Sequence, residues 1–208
     1  MKPVQEVRQE LETSGFVWIQ SGGWEYFEKI TKEIGEIIFV TDVKVNLESR
    51  AMVTSDKGLD FHTDHHKANF IAWYCIEQTD KGGESILQDA NKVFELLSAE
   101  EQEELRRVRL FEHKVFDDDE DSYPFLVESN NKREFYYSFW LAKENISERQ
   151  KDIIKKYQKL TNDTEYIKFK ISPTDILIID NHRILHGRTA IEGSKNRFLK
   201  RFWIKSFH

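Results

Sequence analysis

The sequence predicts an α+β fold in which a rolled-up or sandwiched antiparallel sheet carries flanking helices. Short runs rich in β-branched and aromatic residues recur along the chain, and turn-forming stretches such as residues 80–83 separate them. A few segments between these runs repeat apolar residues at helical spacing. The length of 208 residues suits one domain with a sizeable core. We therefore expect residues 1–208 to form a single domain of helices and antiparallel strands.

Apolar side chains at helical spacing predict four helices. The first ends at the stop signal Thr13-Ser14-Gly15. Asp89 is suited to cap the third helix, and Ser147 is suited to cap the fourth. The predicted helices are residues 4–12, 24–34, 91–107 and 147–160.

Runs of β-branched and aromatic residues predict the strands, two of which form a hairpin around residues 129–132. The acidic run at residues 117–121 is typical of a solvated loop. One apolar run contains the single cysteine, Cys75, which we expect to be a buried, unreactive thiol. The predicted strands are residues 16–19, 37–45, 51–54, 59–64, 69–76, 85–87, 125–127, 134–140, 166–171, 176–179 and 198–204.

Composition and charge exclude several classes of protein. No apolar run approaches the length needed to span a membrane, and the N-terminus lacks the apolar core of a secretory signal. A single cysteine forms no internal disulfide, which favours a reducing, cytoplasmic location. A formal net charge of −6 argues against a general nucleic-acid binder. A small-molecule partner is therefore expected; the sequence gives no oligomeric state.

His62 and Asp64 form a candidate metal-binding pair. On a β-strand, residues two apart point to the same face, so both side chains can bind one ion. A third ligand must come from elsewhere, and the segment Asn181 to Arg188 contains two further histidines. Two imidazoles and one carboxylate are the ligand set of non-haem Fe(II) oxygenases. Taken alone, the pair is equally compatible with a surface or hydrogen-bonded histidine.

Several motifs in order give the chain a more specific similarity. After His62 and Asp64 come Gly82-Gly83-Glu84-Ser85 and then Asp180-Asn181-His182-Arg183-Ile184-Leu185-His186-Gly187-Arg188-Thr189-Ala190, followed by Arg197 and Arg201. With these motifs the chain resembles the Fe(II)/2-oxoglutarate-dependent dioxygenases, in particular the TauD/TfdA branch with taurine dioxygenase, γ-butyrobetaine hydroxylase and clavaminate synthase. The similarity spans roughly residues 59–204. It implies a double-stranded β-helix, which is a jelly-roll, cupin-like core.

The resemblance also implies the cofactors and their ligands. Fe(II) is expected to bind His62, Asp64 and His186, and 2-oxoglutarate and O2 are the expected cosubstrates. Arg197, eleven residues after His186, matches the family's arginine for the far carboxylate of 2-oxoglutarate. Ser85 matches a hydroxyl donor to the same carboxylate, where many relatives have threonine.

His182 is the competing choice for the distal metal ligand. It lies four residues before His186 and shares its face only on a helix. The preceding residues 176–179 are strand-like, which favours His186 as the ligand and leaves His182 a supporting residue.

Substrate contacts are predicted at Arg201, His66 and Trp73. In taurine dioxygenase the arginine that matches Arg201 holds the sulfonate of the substrate, although a surface arginine is an equal alternative. His66 points toward the pocket if the predicted strand continues that far, whereas an early turn cancels this inference. Trp73, Tyr137 and Trp140 could line the pocket, but strand aromatics more often pack in a core.

The implied activity is hydroxylation, or another oxidation, of an unactivated C–H bond in a small polar substrate, with release of succinate and CO2. An amino acid or an amino-acid-derived metabolite is the expected substrate class. Because Asp64 is kept, halogenation is not expected. The alternative is a jelly-roll protein that binds a metal or small ligand without oxygenase activity, for which Arg197 and Ser85 would have no use. A nucleic-acid demethylase is disfavoured by the acidic charge balance.

Overall fold

The computed structural model describes residues 1–46, 48, 52–129, 132–142 and 146–207. Its helices are α1 (Val4–Ser14), α2 (Trp24–Ile34), α3 (Ala90–Phe94), α4 (Ala99–Arg106) and α5 (Glu148–Asp163), with short 3-10 turns at Met52–Thr54 and Phe139–Leu141. Its strands are β1 (Phe16–Ile19), β2 (Gly35–Lys44), β3 (Leu59–His62), β4 (Phe70–Glu77), β5 (Ser85–Asp89), β6 (Arg109–Phe111), β7 (Ser122–Pro124), β8 (Leu126–Ser129), β9 (Lys132–Phe135), β10 (Ile167–Phe169), β11 (Ile176–Asp180), β12 (Ile184–Arg188) and β13 (Phe198–Ser206).

Two antiparallel sheets form the body of the protein. The larger has the order β1-β11-β4-β13-β2, and the smaller has the order β10-β5-β12-β3. Two hairpins, β6-β7 and β8-β9, complete the strand pairing of the described residues. The described strands pair only antiparallel and close no barrel, so the predicted α+β, jelly-roll type of core is confirmed as two open sheets.

Alternation along the strands divides the core into layers. On β4, Ala72 and Tyr74 pack against α1 and α2, whereas Ile71, Trp73 and Cys75 face the smaller sheet. The outer face of the smaller sheet is covered by α3, α4, α5 and the β8-β9 hairpin. The space between the two sheets is therefore the innermost layer, and the inward side chains of β12 and β13 end there.

Most predicted elements are found, and several differ in extent or type. The strand predicted at 134–140 ends at Phe135 and is followed by the 3-10 turn at Phe139–Leu141. The predicted helix at 91–107 is wrong as one element: it breaks into α3 and α4, because Ser98 and Glu101 form a capping box that starts a new helix. The predicted strand at 51–54 is a 3-10 turn over Met52–Thr54, and Ala51 lies outside the described residues. The predicted hairpin turn includes residues 130–131, which are also outside them, although its strands pair as expected.

Two further observations concern solvent and membrane. In the described ranges, none of the helices is long and apolar enough to cross a membrane. Cys75 is fully buried, and burial raises the pKa of its thiol to about 12, as expected for an unreactive cysteine.

Candidate active site

His62 and His186 are brought together by the pairing of β3 with β12. The two residues are direct cross-strand partners, and their ring centroids lie 4.3 Å apart. Asp64 follows the end of β3, and its Oδ2 lies 3.8 Å from His186 Nε2. One possible ligand atom from each of the three buried residues lies within 4.8 Å of the others. A single small cation can therefore contact all three side chains.

Both imidazoles are in surroundings that favour the neutral form, and a hydrogen bond fixes the tautomer of His62. His62 Nδ1 lies 2.8 Å from the Asp60 carbonyl, which fixes Nδ1 as the N–H and leaves the Nε2 lone pair free. Burial lowers the pKa of His62. Burial, with His62 beside it, lowers the pKa of His186 to about 3. Two neutral imidazoles and one carboxylate are a donor set that fits Fe(II) with coordination positions left open.

Asp64 is oriented by two neighbours on β13. Arg201 Nη1 donates to Oδ1 at 3.1 Å and to Oδ2 at 3.0 Å, and Trp203 Nε1 donates to Oδ2 at 3.0 Å. Burial alone would raise the pKa of Asp64, but Arg201, His186 and His62 lower it below its usual value. The carboxylate is therefore ionised and directed before any ion binds.

Asn181 connects the two parts of the site. Its Oδ1 accepts from the Asp64 backbone N–H at 2.8 Å, and its Nδ2 donates to the carbonyls of His65 and Ala68 at 3.2 and 2.9 Å. Asn181 is fully buried in the turn between β11 and β12. One amide therefore fixes the loop that carries Asp64 against the turn that precedes His186.

Arg197 and Ser85 line the same pocket as His62 and His186, and Arg201, which binds Asp64, lines it too. The cavity has a volume of about 50 Å³. Arg197 is buried and its Nε has no hydrogen-bond partner among the described residues. Burial, with Arg188 nearby, lowers the pKa of Arg197 to about 9. A buried guanidinium without a carboxylate fits the far carboxylate of 2-oxoglutarate.

Arg188 is the second buried arginine of this pocket. Its Nη2 donates to the carbonyls of Ser55 and Lys57 at 2.8 and 2.9 Å. Its Nη1 is buried without a hydrogen-bond partner in the described part of the chain. Burial lowers its pKa, and Asp56 opposes this effect.

The predicted substrate residues have different surroundings. Arg201 lines the pocket, but its guanidinium contacts Asp64 and Thr41. Trp73 lines the pocket and packs edge-on against His186, at 5.1 Å between centroids. Trp140 lies 5.2 Å from the ring of His62. Tyr137 is buried in the outer core instead.

The strand predicted at 59–64 ends at His62, and a turn follows at His66. The condition under which His66 would point toward the pocket is therefore not met. His66 Nε2 lies 2.5 Å from Glu112 Oε1, and its ring stacks on Tyr123 at 3.5 Å. His66 is not among the residues that line the pocket. The structure places it in a separate buried cluster.

That cluster consists of His65, His66, Glu112 and Asp119. His65 Nδ1 accepts from the Lys67 backbone N–H at 3.2 Å, so its Nε2 carries the proton and has no lone pair for a metal. The cluster is thus a hydrogen-bonded anchor.

Asp119 is the centre of this anchor. It accepts from Lys67 Nζ at 2.6 Å and from the backbone N–H groups of Val115 and Phe116 at 2.8 and 2.6 Å. Burial alone would raise its pKa, but these hydrogen bonds lower it well below the usual value. The acidic run at 117–121 is therefore not simply a solvated loop, because Asp119 is buried.

Three residues of the site were not predicted. Asn181 and Arg188 stand inside the motif around His186 but had no role, and Trp203 was unassigned. Trp203 shares the parity of Arg201 on β13, which was a usable signal. Nothing local in the sequence indicates that Asn181 reaches the loop after Asp64.

Fold and site together define a class: jelly-roll proteins with a two-histidine, one-carboxylate candidate metal site. The chain belongs to the taurine catabolism dioxygenase TauD, TfdA family, whose sequence profile matches residues 24–203. γ-Butyrobetaine dioxygenase of Homo sapiens is 28% identical over 171 residues, covering 72% of this chain and 44% of the human protein. The Pongo abelii protein gives the same values. The chain thus spans less than half the length of these curated relatives.

Solved structures of similar fold include two iron oxygenases. Asparagine oxygenase superposes with a TM-score of 0.77 at 16% identity, over 98% of this chain and 78% of that one. The non-heme iron oxygenase OrfP, in complex with Fe and α-ketoglutaric acid, gives 0.73 at 17% identity, over 98% and 80%. At such identities the likeness establishes the fold, and the predicted family and fold are confirmed.

Proposed function

We propose that this protein is an Fe(II)/2-oxoglutarate-dependent dioxygenase that hydroxylates, or otherwise oxidises, an unactivated C–H bond of a small polar substrate. The observation that carries the proposal is a three-residue metal donor set, two of whose members line one pocket with a buried arginine that has no carboxylate partner among the described residues. A simple metal-binding protein has no use for that arginine. Membership of the TauD, TfdA family supports the same activity.

In this proposal each pocket residue has a distinct task. His62, Asp64 and His186 hold the iron, and Trp203 with Arg201 keeps the carboxylate of Asp64 directed toward it. When bound, Fe(II) supplies the activation of O2 that accompanies conversion of 2-oxoglutarate to succinate and CO2. The chain itself supplies position and shelter from water.

Arg197 and Ser85 bind the far carboxylate of 2-oxoglutarate. The guanidinium offers parallel N–H donors that match a carboxylate, and the hydroxyl of Ser85 adds one more. Because both residues are buried, the carboxylate is bound in surroundings where charge-assisted hydrogen bonds are strong. Placing this end fixes the keto acid end toward the three metal ligands.

An amino acid or an amino-acid-derived metabolite is the proposed substrate class. Support comes from solved relatives of similar fold: asparagine oxygenase with 3-hydroxyasparagine, and OrfP with (3S)-hydroxy-L-Arg. Trp73 packs against His186 and is an apolar part of the pocket wall, and Trp140 packs against the ring of His62. Because Asp64 occupies a place that halogenating relatives leave small, a non-halogenating oxidation is proposed.

The remaining parts of the proposal concern organisation and location. We take residues 1–208 as one dioxygenase domain, supported by the common inner core of both sheets. A cytoplasmic location is supported by the single, buried, unpaired Cys75.

The test is an anaerobic visible titration of the metal-free protein with Fe(II) and 2-oxoglutarate. We expect a metal-to-ligand charge-transfer band that His186→Ala abolishes. Arg197→Ala should retain the band but require much more 2-oxoglutarate. His182→Ala is the matched control, because His182 bonds the His66 carbonyl outside the pocket and should leave the band intact.

Two results would redirect the assignment. No band in folded wild-type protein would show that 2-oxoglutarate does not chelate iron here, and the metal-binding alternative would then be preferred. Loss of the band in His182→Ala, with its retention in His186→Ala, would move the distal ligand to His182. Succinate release with candidate amino acids then tests the substrate class.

A further inference from the structure

Arg188 lies at the end of the pocket where an anion is expected. On β12 it follows His186 by two residues, so both side chains project from the same inward face. Its cross-strand partner on β5 is Ser85, and the partner of His186 there is Leu87. This face therefore carries the candidate metal ligand His186 and, two residues further along the paired strands, the hydroxyl of Ser85 and the guanidinium group of Arg188.

Arg197 reaches the same end from the other sheet. A Cβ built on Gly83, two residues before Ser85, would lie 3.5 Å from Arg197 Cδ. The stem of Arg197 thus packs over the turn that leads into β5. Arg188 and Arg197 both line the pocket, and the charge of Arg188 contributes to lowering the pKa of Arg197.

The charges in the pocket are unbalanced. Arg201 is paired with Asp64, but neither Arg188 nor Arg197 forms an ion pair with a described carboxylate. Asp56, which acts on Arg188 at longer range, is half-exposed and paired with Lys195 at 3.0 Å. Two buried cations without counterions call for an anionic ligand that contacts both.

The hydrogen bonds of Arg188 to the segment that contains Ser55 and Lys57 use only part of its guanidinium group. Contacts with the carbonyls of Ser55 and Lys57 occupy Nη2 alone. Nη1 remains buried, without a partner among the described residues, in the wall of the pocket. A buried N–H group without a hydrogen-bond acceptor is unfavourable. A carboxylate at this position would supply the acceptor.

We propose that Arg188 is a second anion-binding residue of this pocket, whose Nη1 donates to the same far carboxylate that Arg197 binds. The inference rests on the proposed function, in which that carboxylate belongs to 2-oxoglutarate. Two guanidinium groups select a 2-oxo dicarboxylic acid over a monocarboxylic acid of equal length more strongly than one does. Arg188 is thus a specificity residue for the cosubstrate.

The experiment measures this selection in the absence of turnover. Protein loaded with Mn(II) is titrated calorimetrically, without oxygen or substrate, with 2-oxoglutarate and with 2-oxopentanoate, which lacks the far carboxylate. The readout is the dissociation constant of 2-oxopentanoate divided by that of 2-oxoglutarate. In Arg188→Gln we expect 2-oxoglutarate to bind roughly 10- to 100-fold more weakly. Binding of 2-oxopentanoate should stay unchanged, so the ratio falls by the same factor.

Two variants keep the test decisive. Arg188→Lys can still reach the Ser55 and Lys57 carbonyls but lacks the separate Nη1 donor. It replaces Arg188→Gln if circular dichroism shows that Arg188→Gln does not fold. The ratio of dissociation constants should also fall in Arg188→Lys. Arg183→Gln is the control, because Arg183 contacts Asp89 outside the pocket and should keep the wild-type ratio.

The outcomes separate this inference from the proposed function. An unchanged ratio in folded Arg188 variants, or equal weakening of both acids, overturns the role of Arg188. If Arg197→Gln lowers the ratio in the same assay, the proposed function survives that result. If wild-type protein shows no preference between the acids and Arg197→Gln changes nothing, the 2-oxoglutarate site itself is refuted.

Discussion

Removing the charge of Arg197 should stabilise the metal-free protein while weakening its binding of 2-oxoglutarate. The guanidinium is buried, and burial with Arg188 nearby lowers its pKa from the ordinary 12.5 to about 9. At about 1.36 kcal/mol per pKa unit, this difference corresponds to roughly 5 kcal/mol, as an upper limit, by which folding disfavours the cation. Arg197→Met removes the charge and keeps most of the packing volume. We expect a gain of about 1–3 kcal/mol in the free energy of unfolding at pH 7.

The pH dependence of this gain follows from the direction of the pKa change. Because the folded pKa lies below the unfolded one, the penalty is fully present below about pH 9. The difference in stability between Arg197→Met and wild type should therefore be constant from pH 6 to 8.

Urea unfolding of the metal-free proteins at each pH measures this difference. Arg149→Met is a control in which an exposed arginine is removed, and it should give almost no gain. With Mn(II) and 2-oxoglutarate present, ligand binding stabilises the wild type but hardly the variant. A loss of stability in Arg197→Met that does not vary with pH would refute the reasoning, because it would mean that the folded chain already neutralises this cation.

Three further substitutions test other parts of the structure. Gly187→Ala would place a Cβ 2.4 Å from the Leu59 carbonyl oxygen. We therefore expect the free energy of unfolding, measured in urea, to fall by about 1–3 kcal/mol and Fe(II) binding to weaken. Normal Fe(II) affinity would contradict this prediction. Asp119→Asn should lose about 2–4 kcal/mol at pH 7. Because the folded pKa of Asp119 lies well below its usual value, the difference from wild type should start to shrink as the pH falls below about 4 and disappear only as the pH falls through the lower folded pKa. A difference in urea unfolding that stays the same from pH 7 down to strongly acidic pH would argue against an ionised anchor. Trp203→Phe removes the indole donor to Asp64 and should weaken Fe(II) binding about 10-fold with little change in stability, as judged by metal titration; unchanged affinity would exclude an orienting role.

Elements with a strong period and clear stop signals could be predicted from the sequence. The bounds of β1 and α2 coincide with those expected, because glycines and a clean apolar pattern limit both. The helix expected at 91–107 failed because an apolar stripe was given more weight than a capping box. Ser98 and Glu101 restart the helix, and Leu96, an apolar residue inside the predicted range, is exposed.

Strand β12 was not predicted, although it carries His186. Its inward positions hold a histidine and an arginine where a core strand would hold apolar residues, so the hydrophobic pattern that marks other strands is absent. The same departure marks β12 as part of the site. Its contacts with β3 and β5 depend on chain segments about a hundred residues away, and no local signal encodes them.

The candidate ligand set was inferred from motif order, and its assignment remains a prediction. What the structure adds is proximity: His62, Asp64 and His186 lie within reach of one ion, and the two histidines line one pocket with Arg197 and Ser85. The surroundings of Asp64 could not be predicted, because the partner of Arg201 depends on where a turn places the carboxylate.

The position of β12 in its sheet has a consequence for the order of folding. The strand lies between β5 and β3, so a late segment of the chain inserts between two earlier segments. Closing such long loops is slow, and the pairing of His62 with His186 is one of the contacts that it completes. A nascent or truncated chain that stops before β12 holds only two of the three candidate ligands. With the proposed ligand set, complete metal binding would report that the sheet has closed.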